Sequence, residues 1–255
     1  MRSSCVLLAL LMCTAHPLED EQSGRPVAGE AASDKNQPAM QVQSGHLTVN
    51  STIGEVIAHP AFAGFGRLLL PWDNRKPDGN MQLREISALL PYHSEVNPSE
   101  VVTALNQMID DANNGKSIFY DFYAETQKNA EPTQRNAGLF FFRGKPGAPF
   151  AIVCPGGGFA YVASLHEGFP YAAEITKSGY NVFVLKYRAG VGGAAATLDL
   201  AAALSYVFKN ARRLASEPPI TLCGAARQAR EWLPPLAPTE PHSLGVTFSR
   251  VHRSW

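Results

Sequence analysis

A chain of 255 residues with 45% hydrophobic and 17% charged content has the make-up of a globular protein with room for a full core. Lys plus Arg and Asp plus Glu both number 22, so no net charge draws it to nucleic acid or to an anionic membrane. Any partner must be argued from a site.

The first residues read as a leader. Arg2 gives a positive start, "CVLLALLMC" from Cys5 is a compact apolar stretch, and Cys13-Thr14-Ala15 offers a small-x-small cleavage site. The run is too short to span a bilayer comfortably. A lipoprotein cleavage ending at Cys13 would want a small residue where Met12 stands. The reading is a signal peptide and a secreted or periplasmic product. Without the leader only Cys154 and Cys223 remain, and two cysteines at strand ends read as buried thiols, with one disulfide conceivable in an exported protein. No CxxC or HxxxH pattern occurs, so neither a metal nor a cofactor is expected.

From His16 to about Ser44 the chain is rich in Gly, Glu, Ser and Gln, as in a disordered linker. Apolar density returns near Leu47 and persists to Leu90. A helix should then start at Pro98, with Asn97 as cap and Glu100 closing a capping box. Its apolar face is Val101, Val102, Leu105, Met108 and Ile109, and Gly115 ends it. "GKS" from Gly115 resembles the end of a phosphate-binding loop. That motif wants a glycine where Asp110 stands and a strand before it, which excludes it.

"SIFYDFY" from Ser117 and "GLFFFRG" from Gly138 read as strands, separated by a polar segment around Asn129 to Asn136. "FAIVC" from Phe150 is a continuous apolar run, as in a strand buried on both faces. A helix over His166 to Ser178, a strand over Asn181 to Tyr187, a helix over Ala194 to Leu214 and a strand "ITLC" from Ile220 follow. The inward residues of the long helix should be Leu198, Leu200, Ala201, Leu204, Val207 and Phe208. Successive strand-helix-strand units imply an α/β fold with a mostly parallel sheet flanked by helices.

Directly after "FAIVC" come Pro155 and three glycines, Gly156, Gly157 and Gly158, then Phe159. A tight turn rarely needs three. A dinucleotide fingerprint would need a glycine where Tyr161 stands and a helix starting at once, although Arg188 could address a 2′-phosphate. An oxyanion hole needs backbone N–H groups aimed at a developing negative charge with no side chain in the way. α/β-Hydrolases carry such a loop after their third strand.

"GLFFFRG", "PGGGFAYVASLHEGFPYAAEITKSGYNVFVLKYR" and "DLAAALSYVF" together resemble the secreted α/β-hydrolases of the acetyl-esterase and lipase-like kind, over about Leu90 to Leu222. Pro155 replaces the histidine usual before the glycines. The resemblance implies a serine hydrolase of small carboxylic esters, acetylated carbohydrate among them. It implies an oxyanion hole from the N–H groups of Gly157, Gly158 and Phe159, with Gly156 shaping the loop.

Such an enzyme needs a serine on a G-x-S-x-G turn two or three residues past Gly224. Here that stretch is Ala225-Ala226-Arg227-Gln228, and the motif occurs nowhere in the chain, so no catalytic residue is assigned. The possible codons of Cys223 to Pro234, read from the third base of each, permit Trp-Gly-Gly-Ser-Ala-Gly-Ala-Arg-Met-Ala-Ala, which is the missing elbow. A shifted reading frame near Cys223 is the expectation, with "ITLC" left as an aggregation-prone sheet edge. Ser164, His166 and Glu167 have the right residue types but lie too close in sequence for a triad, and a loop-bracing role is expected of them. The expected organisation is a signal peptide over 1–15, a linker over 16–46, a helical segment over 47–116, a partial hydrolase domain over 117–224 and an irregular tail over 225–255. The expected partner is a small ester if the frame is restored. A non-catalytic secreted protein that keeps the cleft for binding is the alternative.

Overall fold

The computed structural model describes residues 45–91, 96–211, 213–214, 217–224 and 247–248, the last two as strand backbone. The expected leader, most of the linker and most of the tail lie outside the described residues. Among the described residues no helix is long and apolar enough to cross a membrane.

The segment before the sheet holds α1 (Ile53–Ala58) and three short 3-10 turns. Thr52 caps α1 in a full capping box with Glu55. α2 (Pro98–Asn113) starts where the sequence predicts, with Asn97 accepting from the Ser99 N–H and donating to the Glu100 carboxylate. Its end is as expected too. Gly115 takes a φ of 72°, and the N–H groups of Gly115 and Lys116 close on Ala112 and Asp111.

β1 (Phe119–Tyr120) is only two residues of the expected seven-residue strand. The chain then turns so that the Tyr123 hydroxyl can reach Asp199, at 2.6 Å. The polar segment between the two predicted strands is α3 (Glu125–Ala130) plus a 3-10 turn over Pro132–Asn136. β2 (Gly138–Phe142), β3 (Pro149–Cys154), α4 (Phe169–Lys177), β4 (Asn181–Lys186), α5 (Gly193–Lys209), β5 (Glu217–Gly224) and β6 (Thr247–Phe248) follow. A π-helical turn over Ser164–Gly168 leads into α4, so the helical path begins two residues before the predicted start.

Among the described residues six strands lie in the order β1-β2-β4-β3-β5-β6. β1 and β2 are antiparallel to their neighbours, and β4, β3, β5 and β6 are mutually parallel. This is the predicted α/β class with a mostly parallel sheet, the antiparallel pairings being confined to β1 and β2. β5 is not the last strand: Thr221 and Leu222 pair with Thr247 and Phe248 of β6, from a stretch in which the sequence pattern shows no strand.

Strand alternation divides the core. Phe140, Phe142, Ala151, Val153, Val182 and Val184 join the apolar faces of α2, α4 and the N-terminal segment. Leu139, Phe141, Phe150, Ile152, Phe183 and Leu185 pack with α5 on the other side. Phe141 stacks on Phe183 with centroids 4.4 Å apart. All of these residues are buried, as the continuous apolar runs require of a sheet covered on both faces.

α5 departs from its predicted face. It buries Ala196, Asp199, Ala203 and Val207, whereas Leu198 is 63% exposed, Phe208 is 41% exposed and Ala201 is exposed. Leu200 and Leu204 are half-buried. On this inner face Asp199 turns inward to meet Arg188.

Candidate active site

β3 lies between β4 and β5, and its carboxyl end opens into Pro155 and the three glycines. In open α/β sheets the crevice beyond the carboxyl ends of the strands is where ligands sit. One position here forces glycine and the next favours it. Gly157 has a φ of 142°, and a Cβ on it would collide with the carbonyl oxygen of Tyr161. Gly158 has a φ of 59°, and Phe159 repeats that angle, which non-glycine residues seldom adopt.

The bend is closed by its own backbone. The Gly157 carbonyl accepts from Ala160 at 3.0 Å and Tyr161 at 3.3 Å, and the Gly156 carbonyl accepts from Ala163 at 3.0 Å. The Gly156 N–H is consumed by the Glu167 carboxylate, at 3.0 Å. Among the described residues the Gly157 N–H has no hydrogen-bond partner. Gly158 is exposed, and the Phe159 ring lies against Gly193 and edge-on to Tyr187, 6.1 Å between centroids.

Tyr187, just past β4, holds the loop from below. Its hydroxyl donates to the Pro155 carbonyl at 3.0 Å and lies 3.3 Å from that of Tyr161. Burial, with Cys154 and Glu167 nearby, pushes its phenol well above the usual range, so it stays a hydroxyl donor. Cys154 itself is a buried thiol.

The residues after the loop do not assemble a triad. Glu167 is engaged with Gly156, and His166 Nε2 lies 2.9 Å from the Ile86 carbonyl. Ser164 is fully buried at the start of the π-helical turn. Glu167 braces the loop, the role expected of it. Arg188 cannot serve a phosphate. Its backbone N–H and guanidinium both meet Asp199, at 2.8 and 2.9 Å, and the pair is buried. Burial, the Asp199 hydrogen bond and the Asp199 charge all raise the Tyr123 phenol, which completes that cluster.

A second buried ion pair was not anticipated from the sequence. Lys186 is fully buried and its Nζ lies 2.7 Å from Asp73 Oδ1. Desolvation lowers the Lys186 ammonium, and the Asp73 charge opposes that shift. The signal was available in "NVFVLKY": a lysine inside a buried run must find an acid. A polar groove of about 500 Å³, lined by Asn106, Gln107, Asp111, Lys116 and Arg143, lies beside the start of β4, at the opposite end of the sheet.

No protein-family model matches the chain, and no curated protein does. Solved structures resemble part of it. An α/β-hydrolase enzyme from a Medee basin deep-sea metagenome library is 26% identical, covering 34% of this chain and 40% of that one, with a TM-score of 0.32. An acetyl ester-xyloside bifunctional hydrolase from Caldicellulosiruptor lactoaceticus is 27% identical, covering 34% of each chain, also at 0.32. An esterase from Mycobacterium marinum is 21% identical over 49% of this chain and 38% of that one, at 0.38. The chain spans well under half the length of each.

Proposed function

We propose that this chain derives from a secreted or periplasmic serine hydrolase of small carboxylic esters and that, as it stands, it does not turn esters over. The observation that carries the reading is the glycine bend at the carboxyl end of β3, where the Gly157 N–H has no partner among the described residues. Such a donor is suited to the oxygen that becomes negative when a nucleophile adds to an ester carbonyl. The N–H groups of Gly157, Gly158 and Phe159 form the oxyanion hole in this reading, and Gly156 shapes it. The strand order and the loop after the third strand support it.

What the reading lacks is the nucleophile. A serine would have to follow β5 directly, and Ala225-Ala226-Arg227-Gln228 stand there. A change of reading frame near Cys223 accounts for both the missing serine and the change of character in the tail. In the restored chain the serine Oγ would add to the ester carbonyl, and the alcohol would leave with the proton the serine loses.

The test is the encoding DNA read in all frames past Cys223, followed by expression of the restored chain. Hydrolysis of short acyl esters by that chain, lost when the restored serine becomes alanine, supports the account. A stop codon at once in the shifted frame, or no serine there, overturns it. A second reading, a non-catalytic protein that keeps the cleft for binding, is favoured by β6, since Thr247 and Phe248 extend the sheet beyond β5. Acyl-ester binding without turnover by the chain as it stands, with no elbow in any frame, selects it.

A further inference from the structure

Leu70 to Asp73 lie far upstream of the glycine loop in sequence, yet they are bonded to the chain on both sides of it. The Pro71 carbonyl accepts the Val162 N–H at 2.9 Å, just past the bend. Asp73 reaches the other side: Oδ1 pairs with Lys186 Nζ, and Oδ2 accepts the Ala189 N–H at 2.9 Å. The next residue, Gly190, donates its N–H to the Phe159 carbonyl at 2.7 Å. Phe159 is the residue held at positive φ.

These bonds form one path, from a buried ammonium through Asp73 and the Ala189-Gly190 backbone to the bend. Lys186 fixes its origin, because its Nζ, with the side chain fully buried, also lies 3.3 Å from the Leu70 carbonyl. A buried lysine confines its counter-ion to one place. The carboxylate then has one oxygen left, and that oxygen sets the height of the 189–190 backbone.

We infer that Asp73 is a positioning residue for the glycine loop: through Ala189 and Gly190 it holds the Phe159 carbonyl and so the orientation of the Gly157–Phe159 amides. The inference rests on reading those amides as an oxyanion hole. It makes the segment before the sheet a working part of the site, where a plain packing strap would only add stability.

The experiment uses the full chain labelled with 15N-glycine and 15N-alanine and two paired variants, each without the lysine so that no unpaired ammonium is buried. In Asp73→Ala/Lys186→Met the Gly157, Gly158 and Gly190 amide resonances should move and Gly190 hydrogen exchange should rise about tenfold or more, as for a lost hydrogen bond. Gly115 and Gly179, at the other end of the sheet, should not change. Asp73→Asn/Lys186→Met keeps an acceptor for Ala189 and should return the loop resonances towards those of the unaltered chain. Unmoved loop resonances in the alanine pair, or an asparagine pair as perturbed as the alanine pair, would overturn the inference. Should the alanine pair not fold, the unaltered chain decides: Gly190 exchange as fast as that of exposed Gly64 overturns it, and strong protection of Ala189 and Gly190 together supports it. Titration of the unaltered chain with sodium acetate separates the two ideas. A silent Gly157 amide there counts against the oxyanion hole, whereas the path from Asp73 is judged on the variants.

Discussion

Among the described residues α2 and α5 are the two long helices, one on each face of the sheet, and they find their inward sides by different means. α2 buries Val101, Ala104, Leu105, Met108 and Ile109, an unbroken apolar face against an apolar cluster. α5 buries Asp199 at the centre of its inner face and leaves Leu198 and Phe208 outside. Where the neighbours are all apolar, hydrophobic burial sets the rotation of a helix. Where a buried guanidinium waits, satisfying it outweighs a leucine, because leaving Arg188 unpaired costs more than one exposed side chain returns.

Removing the acid should break that arrangement hardest. Asp199→Ala leaves Arg188 buried without its carboxylate and should cost about 3–5 kcal/mol in urea unfolding, enough to threaten folding outright. Asp199→Asn, which keeps an acceptor for the Arg188 N–H, should cost less. A loss near zero for the alanine variant would mean that the pair does not set the rotation of α5. On α2 the expected cost of Leu105→Ala is about 2–4 kcal/mol, the price of a cavity in a packed apolar face. Smallest of these effects is that of Leu198→Ser on α5, which should change stability by about 0.5 kcal/mol or less at so exposed a position. A cost matching that of Leu105→Ala would place Leu198 inside and restore the face that hydropathy alone suggests.

The same contrast explains how much could be read in advance. α2, its cap and its glycine stop, the buried runs of β2, β3 and β4, and the glycine bend at the end of β3 were all legible, because each follows from local chemistry or from a uniform apolar pattern. The inner face of α5 was not, since its anchor is a charge whose partner, Arg188, lies in the loop after β4. Asp73 and Lys186 were missed as a pair: the lysine inside a buried run calls for an acid, but 113 positions separate the two and nothing local says which acid it is. β1 was predicted too long because Tyr123 leaves the sheet for Asp199. At the site, Gly156 to Phe159 were picked out by residue type and Glu167 as a brace by its place just past the loop, but the other partners that fix them, Tyr187 and the 189–190 backbone, needed the fold.

Hydrolysis of 4-nitrophenyl acetate by the purified chain as it stands tests the central claim most directly, that an oxyanion loop is present without the nucleophile it would serve. The account predicts a rate equal to the buffer background and equal to that of Gly157→Ala, whose added Cβ would collide with the Tyr161 carbonyl. Turnover above background that persists through purification and is lost in Gly157→Ala would contradict it, and would mean that some other group in this chain attacks the ester.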